Sequence, residues 1–305
     1  MFRRVGAIAA AVVASAQLRQ NNTMTLVKQW IKPVLIISVS FFIAWLLPSG
    51  PIDPWNILSL KKAAYMVFAL AFIQAIGSAM IQLLGNRKGA ILTGFFGGLI
   101  SSTATTVSLA RKSKVAVRDN VGKETLTFLS ATLAMLIEGI VLVLLGTTEI
   151  HLPLLLIFLG PILVTALIIV LISRKLRHRR LEIEPVKLDI LPLLKLAGFI
   201  IAILSLSKLL ENVFGQSGLL ILTFLVSLFE IHGSVIANIQ LHDAGAFSVQ
   251  FLGGLLTISV AASYVSKLFL IQTIGSAALR NKVIKYTAFL FLSLIVSWVI
   301  FLFLV

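Results

Sequence analysis

The chain has 305 residues, of which 59% are hydrophobic and only 12% are charged, and its mean hydropathy is +1.05. This composition excludes an ordinary soluble domain and is typical of a protein that resides in a bilayer. The net charge of +15 does not indicate a nucleic-acid partner, because Lys and Arg lie in short links between apolar runs, where they determine membrane orientation. The absence of cysteine excludes thiol-ligated metals, and the sequence contains no phosphate-binding loop, HExxH motif or Gly-rich dinucleotide turn.

The first 32 residues allow two interpretations. Arg3 and Arg4 precede the apolar run Val5–Ala14, and small residues follow, a pattern typical of a cleaved signal peptide. The alternative is a short or truncated membrane helix, since about 14 residues do not span a bilayer.

Nine apolar runs follow, most of them long enough to cross roughly 30 Å of hydrocarbon, which needs about 20 helical residues. The candidate spans are Pro33–Leu47, Ala63–Leu84, Ala90–Ala110, Thr125–Gly146, Leu152–Ser173, Ile190–Leu210, Gly218–Leu241, Phe247–Gln272 and Ile284–Val305. The predicted division of the chain is a short N-terminal segment (1–32), a first transmembrane helix with its outer turn (33–62), membrane repeat A (63–189) and membrane repeat B (190–305).

The distribution of basic residues argues against nine simple crossings. Nine crossings would place the strongly basic links on alternating sides, against the positive-inside rule. The conflict disappears if Ala90–Ala110 and Gly218–Leu241, the two most polar runs, enter and leave on the same face. We therefore predict an all-α polytopic protein with seven full transmembrane helices and two broken or re-entrant segments.

These two segments occupy equivalent places in an apparent duplication. A shift of 129 residues superimposes Gly89 on Gly218, Leu99 on Leu228 and Gly146 on Gly275. With three crossings and one re-entrant segment in each half, the two halves have opposite orientations. Inverted repeats with discontinuous helices at their interface are an architecture of transporters.

The stretch Gly94–Thr106 combines glycines and hydroxyl residues inside an apolar run, which lowers both helix propensity and lipid solubility. We predict that the hydroxyl oxygens bind a substrate or ion, and hydrogen bonding back to the helix is the alternative for them. For Gly97 and Gly98 close helix packing is the favoured role, and as functional residues they are predicted to form a hinge or backbone break. The predicted hydroxyl ligands are Ser101, Ser102, Thr103, Thr105 and Thr106.

The corresponding stretch of repeat B contains Glu230, His232, Gly233 and Asn238. A carboxylate and an imidazole two residues apart do not share a helical face, but a backbone break near Gly233 would let them act together. Glu230 and His232 are then predicted to bind a cation or exchange protons, with Asn238 as a further ligand. The spacing is not specific for a metal, so a metal ligand set stays open.

Two further ionisable residues lie deep inside apolar runs, where each costs several kcal/mol unless it is paired or hydrated. Glu138 and Lys267 are equivalent positions under the 129-residue shift and carry opposite charges. We predict an ion pair between the two halves. The alternative is that Lys267 extends to the membrane interface while Glu138 faces a neighbouring hydroxyl.

Several motifs carry a family resemblance. They are Leu47-Pro48, Asp53-Pro54-Trp55, Gly85-Asn86-Arg87-Lys88-Gly89 and Gly97-Gly98-Leu99-Ile100-Ser101-Ser102-Thr103-Ala104. Together they resemble a family of uncharacterised prokaryotic membrane proteins, a domain of unknown function often fused behind an MgtC/SapB domain. The resemblance runs from Met24 to the C-terminus and implies an integral inner-membrane protein without an assigned activity. Lys267 matches the pattern of that family, whereas Glu138, His232 and Ser263 depart from it.

The leading expectation is a secondary transporter or ion-conducting protein of the prokaryotic cytoplasmic membrane. Its cargo is expected to be a proton or small inorganic ion, and we expect no cofactor, no nucleic-acid partner and no enzymatic activity. The alternative is a non-transporting regulatory or scaffolding membrane protein related to MgtC-associated proteins. An intramembrane enzyme that uses His232 with Glu230 is a third hypothesis, and assembly into a homo-oligomer stays open.

Overall fold

The computed structural model describes residues 34–35, 37–50, 59–84, 89–115, 121–149, 151–174 and 190–305, and its regular structure is helical throughout these ranges. The N-terminal segment and its two interpretations lie outside the described residues. The helices are α1 (Ile37–Leu46), α2 (Leu60–Leu84), α3 (Ala90–Val115), α4 (Val121–Gly146), α5 (Leu152–Ser173), α6 (Ile190–Phe229), α7 (Ile231–Asp243), α8 (Val249–Ile274) and α9 (Ala277–Leu304).

Within the described ranges, six helices are long and apolar enough to cross a membrane: α2, α3, α4, α5, α8 and α9. This confirms a multi-pass, all-helical membrane protein. α9 begins earlier than the predicted Ile284, because the hydroxyl of Ser276 accepts a hydrogen bond from the Leu279 amide and caps the helix there. α6 is interrupted at Gly215, whose positive φ of 58° is a conformation that favours glycine.

α3 is not a straight helix. Ser101 has extended backbone angles (φ −167°, ψ 107°), and its hydroxyl accepts a hydrogen bond from the Ala104 amide, which begins a new helical segment. A side chain at Gly97 would contact the hydroxyl of Thr105, eight residues further on. A straight helix separates such positions by about 12 Å. The chain therefore folds back on itself at Ser101.

The first half of α3 runs parallel to α4. A Cβ added to Gly94 would lie 2.4 Å from the carbonyl oxygen of Thr127, and one added to Gly98 would lie 2.6 Å from the Cα of Ala131. Because both contacts advance by four residues in the same direction, the two helices are parallel. Small residues at this spacing allow two membrane helices to pack with their backbones in contact.

The second broken segment lies between α6 and α7. Glu230 has extended angles (φ −147°, ψ 99°), and its carboxylate accepts a hydrogen bond from the His232 amide at the start of α7. The hydroxyl of Thr223 donates to Oδ1 of Asn238 at 3.2 Å, although the two residues are 15 positions apart. The chain therefore folds back here as well.

The glycines predicted as backbone breaks are not where the breaks lie. Gly97 and Gly98 are helical residues of α3, and Gly233 lies within α7. The breaks at Ser101 and Glu230 use extended backbone, which any residue can adopt, and each polar side chain then caps the following helix. Glycine therefore has no advantage at these breaks, and Gly98 serves helix packing instead.

Contacts at the helix ends connect distant parts of the chain. Near the end of α3, the hydroxyl of Ser113 accepts a 2.8 Å hydrogen bond from the Ser276 amide, just before α9. At the start of α2, Lys62 forms an ion pair with Asp243 at the end of α7. His151 and His242 stack edge to face nearby, with ring centroids 5.9 Å apart. These contacts hold the C-terminal ends of both broken segments, the end of α3 and the end of α7, in place.

Candidate functional site

His232 lies between two carboxylates at the start of α7. Its Nδ1 is 3.1 Å from Oε1 of Glu230, and its Nε2 is 3.1 Å from Oε2 of Glu138 on α4. The helix break at Glu230 makes this arrangement possible, because it turns the Glu230 side chain back towards the amide and ring of His232. The imidazole therefore connects a residue of α4 with the break between α6 and α7.

The three groups differ strongly in accessibility. The Glu230 side chain is 39% exposed, that of His232 is 13% exposed and that of Glu138 is 1% exposed. Both carboxylate oxygens of Glu138 lack a hydrogen bond, so the Nε2 contact is an ion-pair contact that is not aligned as a hydrogen bond. A buried carboxylate in this position is costly unless a cation or proton accompanies it.

Lys267 of α8 lies in the same region but does not form the predicted direct ion pair with Glu138. Its Nζ donates to the hydroxyl of Ser263 at 2.6 Å and contacts Sδ of Met135 at 2.9 Å. Lys267 is 1% exposed, so it does not extend to the membrane interface. It interacts electrostatically, at longer range, with both Glu138 and Glu230. His232 of α7, and not Lys267, makes the direct contact with Glu138.

The hydroxyl residues of α3 have several roles. Ser101 caps the second half of α3, and Thr106 donates back to the Ser102 carbonyl at 2.8 Å, which is the alternative role considered for these hydroxyls. Thr105 is buried against Gly97 without a hydrogen bond for its hydroxyl.

The predicted ligands do not all meet at one point. Within the described residues, no hydrogen bond or ion pair connects the α3 hydroxyls, including Ser102 and Thr103, with Glu230 or His232. Asn238 lies about two turns along α7 from the break, where it bonds Thr223 and leaves its Nδ2 without a partner. The candidate site is therefore centred on Glu138, Glu230, His232 and Lys267, and the α3 hydroxyls form a separate polar segment.

Two contacts of this arrangement have no signal in the amino-acid sequence. Met135 carries no sequence signal for a contact with Lys267, because a methionine in an apolar helix is typical of packing. The ion pair between Lys62 and Asp243 joins residues 181 positions apart, and the charge pattern alone does not pair them. The described part of the chain contains no group of three or more His, Asp or Glu residues arranged to hold a metal ion.

Comparison with models of known protein families gives a match over most of the described membrane helices. The family model described as a domain of unknown function (DUF4010) matches residues 68–275, which include α3, both helix breaks and all four residues of the candidate site. No curated protein and no solved structure matches the chain.

Proposed function

The chain belongs to the DUF4010 family, a domain of unknown function, and we propose that it is a secondary transporter or ion-conducting protein for a small ion, with protons as the leading cargo. The observation that carries the proposal is the contact of His232 with two carboxylates at a helix break. Ionisable residues inside the membrane commonly mark ion pathways and proton relays. Histidine is suited to such a relay because its ordinary titration lies close to neutral pH.

The graded exposure of the three side chains gives this relay a direction. Glu230 exchanges protons with the accessible side. Neutral His232 receives a proton from Glu230, and protonated His232 passes a proton to Glu138 in the sealed interior. Lys267 balances the charge, because two carboxylates, one protonated imidazole and one ammonium sum to zero. Uptake or loss of one proton therefore leaves a net charge in a region of low dielectric, which favours a change of conformation.

An inverted repeat supports the transporter proposal. The backbone breaks at Ser101 and Glu230 are 129 residues apart, the same shift that relates Glu138 to Lys267. α4 corresponds to α8 under this shift, and α3 packs on α8 as α7 packs on α4. Pairs of discontinuous helices in opposite orientations surround the binding site in several transporter folds.

Contacts at the helix ends support seven crossings with two re-entrant segments. Nine simple crossings would place Ser113 and Ser276 on opposite faces of the membrane, yet these residues are in contact. The same scheme would separate His151 from His242, whose rings also meet. With the re-entrant segments, both pairs fall on common faces, and the basic links face the cytoplasm of the prokaryotic cell that we propose as the host.

The regulatory or scaffolding alternative, including a role beside an MgtC-like protein, has less support. It assigns the glycines of α3 to a surface for a partner, whereas Gly94 and Gly98 are covered by α4 of the same chain. The proposal assigns no catalytic residue and no cofactor.

Proton flux into liposomes tests the proposed function. The purified protein is reconstituted with a pH-sensitive dye inside the vesicles, and a potassium diffusion potential drives proton entry. Parallel samples carry a gradient of Na⁺, K⁺ or Mg²⁺ to detect coupled proton movement. We expect Glu138→Gln and His232→Gln to slow the flux at least about tenfold, because general acid–base groups contribute that much or more to proton transfer.

Glu149→Gln is the matched control, because Glu149 is exposed and lies outside the relay. This control is expected to keep wild-type flux. Flux indistinguishable from that of protein-free liposomes under every gradient would overturn the proposal. Undiminished flux in Glu138→Gln would remove the relay from it.

A further inference from the structure

A lateral groove lies between α5 and α9, and none of the four residues of the candidate functional site lines it. It has a volume of about 520 Å³, and Gly122 at the start of α4 lies at one end of it without a side chain. Leu167 of α5 is 58% exposed and Leu171 is 50% exposed. The groove therefore opens to the side of the bundle, where the bilayer lies.

The walls of the groove are two helical faces. On α5 they consist of Val164, Leu167, Ile168, Leu171 and Ile172, a spacing that forms one continuous apolar stripe. This stripe extends over about 12 Å of the helix. It therefore offers a surface as long as a substantial part of an acyl chain.

The α9 wall changes from basic to apolar along its length. Lys282 and Lys285 lie near the start of the helix, and Tyr286 follows them. Phe289 lies about 10 Å further along the helix axis than Lys282. Arg174 follows directly after the end of α5 and is exposed. The groove thus has cations at one end and apolar walls towards the membrane interior, which is the polarity of an anionic phospholipid.

Among the described residues, the charged groups at the groove leave its basic end net positive. Glu124 of α4 interacts electrostatically with Lys282 and partly offsets its charge. Within the described residues, no ion pair involves Lys285. A phosphate group can therefore accept hydrogen bonds from the ammonium group of Lys285, and the positive charge of Lys282 attracts it further.

We propose that this groove is a specific binding site for one anionic phospholipid. The headgroup phosphate binds at Lys282 and Lys285, and one acyl chain lies along the α5 stripe beside Phe289. Basic pockets between membrane helices are suited to anionic headgroups, and the surrounding bilayer supplies the ligand. The inference is independent of the proposed transport activity.

Thermal unfolding of the delipidated protein in detergent tests the proposal. The probes are dioleoylphosphatidylglycerol, dioleoylphosphatidylcholine and inorganic phosphate, each titrated separately, and native mass spectrometry counts the bound lipids. We expect phosphatidylglycerol to raise Tm and to bind as one retained molecule. Lys282→Gln/Lys285→Gln is expected to weaken this binding at least about tenfold.

Two further variants complete the test. Arg111→Gln/Lys114→Gln removes the same charge from exposed positions outside the groove and is expected to bind like the wild type. Leu171→Trp keeps both lysines but fills the apolar part, and it is expected to weaken lipid binding without affecting folding, because Leu171 is half exposed.

The proposal is overturned by equal stabilisation from phosphatidylcholine, by a full effect of inorganic phosphate alone, or by unchanged lipid binding in Leu171→Trp. Each of these outcomes contradicts a different part of it. The first removes the requirement for an anionic headgroup, the second assigns the site to a soluble anion, and the third removes the acyl chain.

Discussion

At the scale of single residues, the ionisable cluster is held by a balance of charges. Glu138 and Lys267 are both 1% exposed, and they influence each other without direct contact. Removing one member of a buried charged group leaves an uncompensated charge, which costs about 3–5 kcal/mol. The stability of the protein should therefore depend on the sum of the charges more than on any one side chain.

A double-mutant cycle tests this balance. Lys267→Met and Glu138→Gln are each expected to lower Tm in detergent, because each leaves one unbalanced charge. The combined variant Glu138→Gln/Lys267→Met restores the charge sum and is expected to lose less stability than the two single losses added together. A coupling of about 0.5–3 kcal/mol is typical of residues that share an electrostatic network. Strict additivity would indicate that the two charges are independent.

All four ionisable residues could be singled out from the sequence, because charges are rare in apolar segments. Their contacts could not be assigned in the same way. Glu138 and His232 are 94 positions apart, and their contact depends on a backbone break at Glu230 that hydropathy does not locate. The repeat shift favoured Lys267 as the partner of Glu138, since it compares equivalent positions and carries no information on side-chain reach.

At the scale of helices, α3 depends on contact with α4. The expected break was placed at glycines, because glycine has low helix propensity. The structure uses Gly94 and Gly98 for close packing, and a serine forms the break. Helix propensity thus identified the correct segment but not the correct residue, because the contact with α4 and the cap at Ser101 determine the local conformation.

Alanine substitution of Gly98 tests the packing of α3 on α4. A new Cβ there would lie 2.6 Å from Cα and 2.8 Å from the carbonyl oxygen of Ala131, so the helices must separate. We expect a loss of about 1–3 kcal/mol, measured by thermal unfolding in detergent.

Gly254→Ala is the matched control for Gly98→Ala, because no atom lies within 4 Å of the added Cβ. The control is expected to unfold at or slightly above the wild-type Tm, since alanine favours a helix over glycine. Equal Tm values for the two variants would contradict the close packing.

At the scale of the whole molecule, the contacts between helix ends define two faces. Ser113 and Ser276 meet on one face, and Lys62 and Asp243 meet on the other in the proposed topology. The membrane class, and the two segments whose helices are broken, were predictable from composition and from the distribution of basic residues. The individual contacts were not, because they join residues far apart in the chain.

Cysteine labelling in intact cells tests this assignment, since the chain has no native cysteine. Lys114→Cys and Ala277→Cys introduce exposed thiols beside the contacting serines, and Glu149→Cys introduces one at the opposite end. We expect an impermeant thiol reagent to label only Glu149→Cys before permeabilisation. Labelling of Lys114→Cys but not Ala277→Cys from outside would restore nine simple crossings.

The break at Ser101 also constrains how the protein is synthesised. An interrupted helix exposes backbone polar groups that lipid cannot satisfy, so it needs protein contacts to remain in the bilayer. Its principal contact, α4, is translated after α3 and so is not yet present when α3 leaves the ribosome. The two helices must therefore enter the membrane together, and the broken segment acquires its final shape only when α4 has arrived beside it.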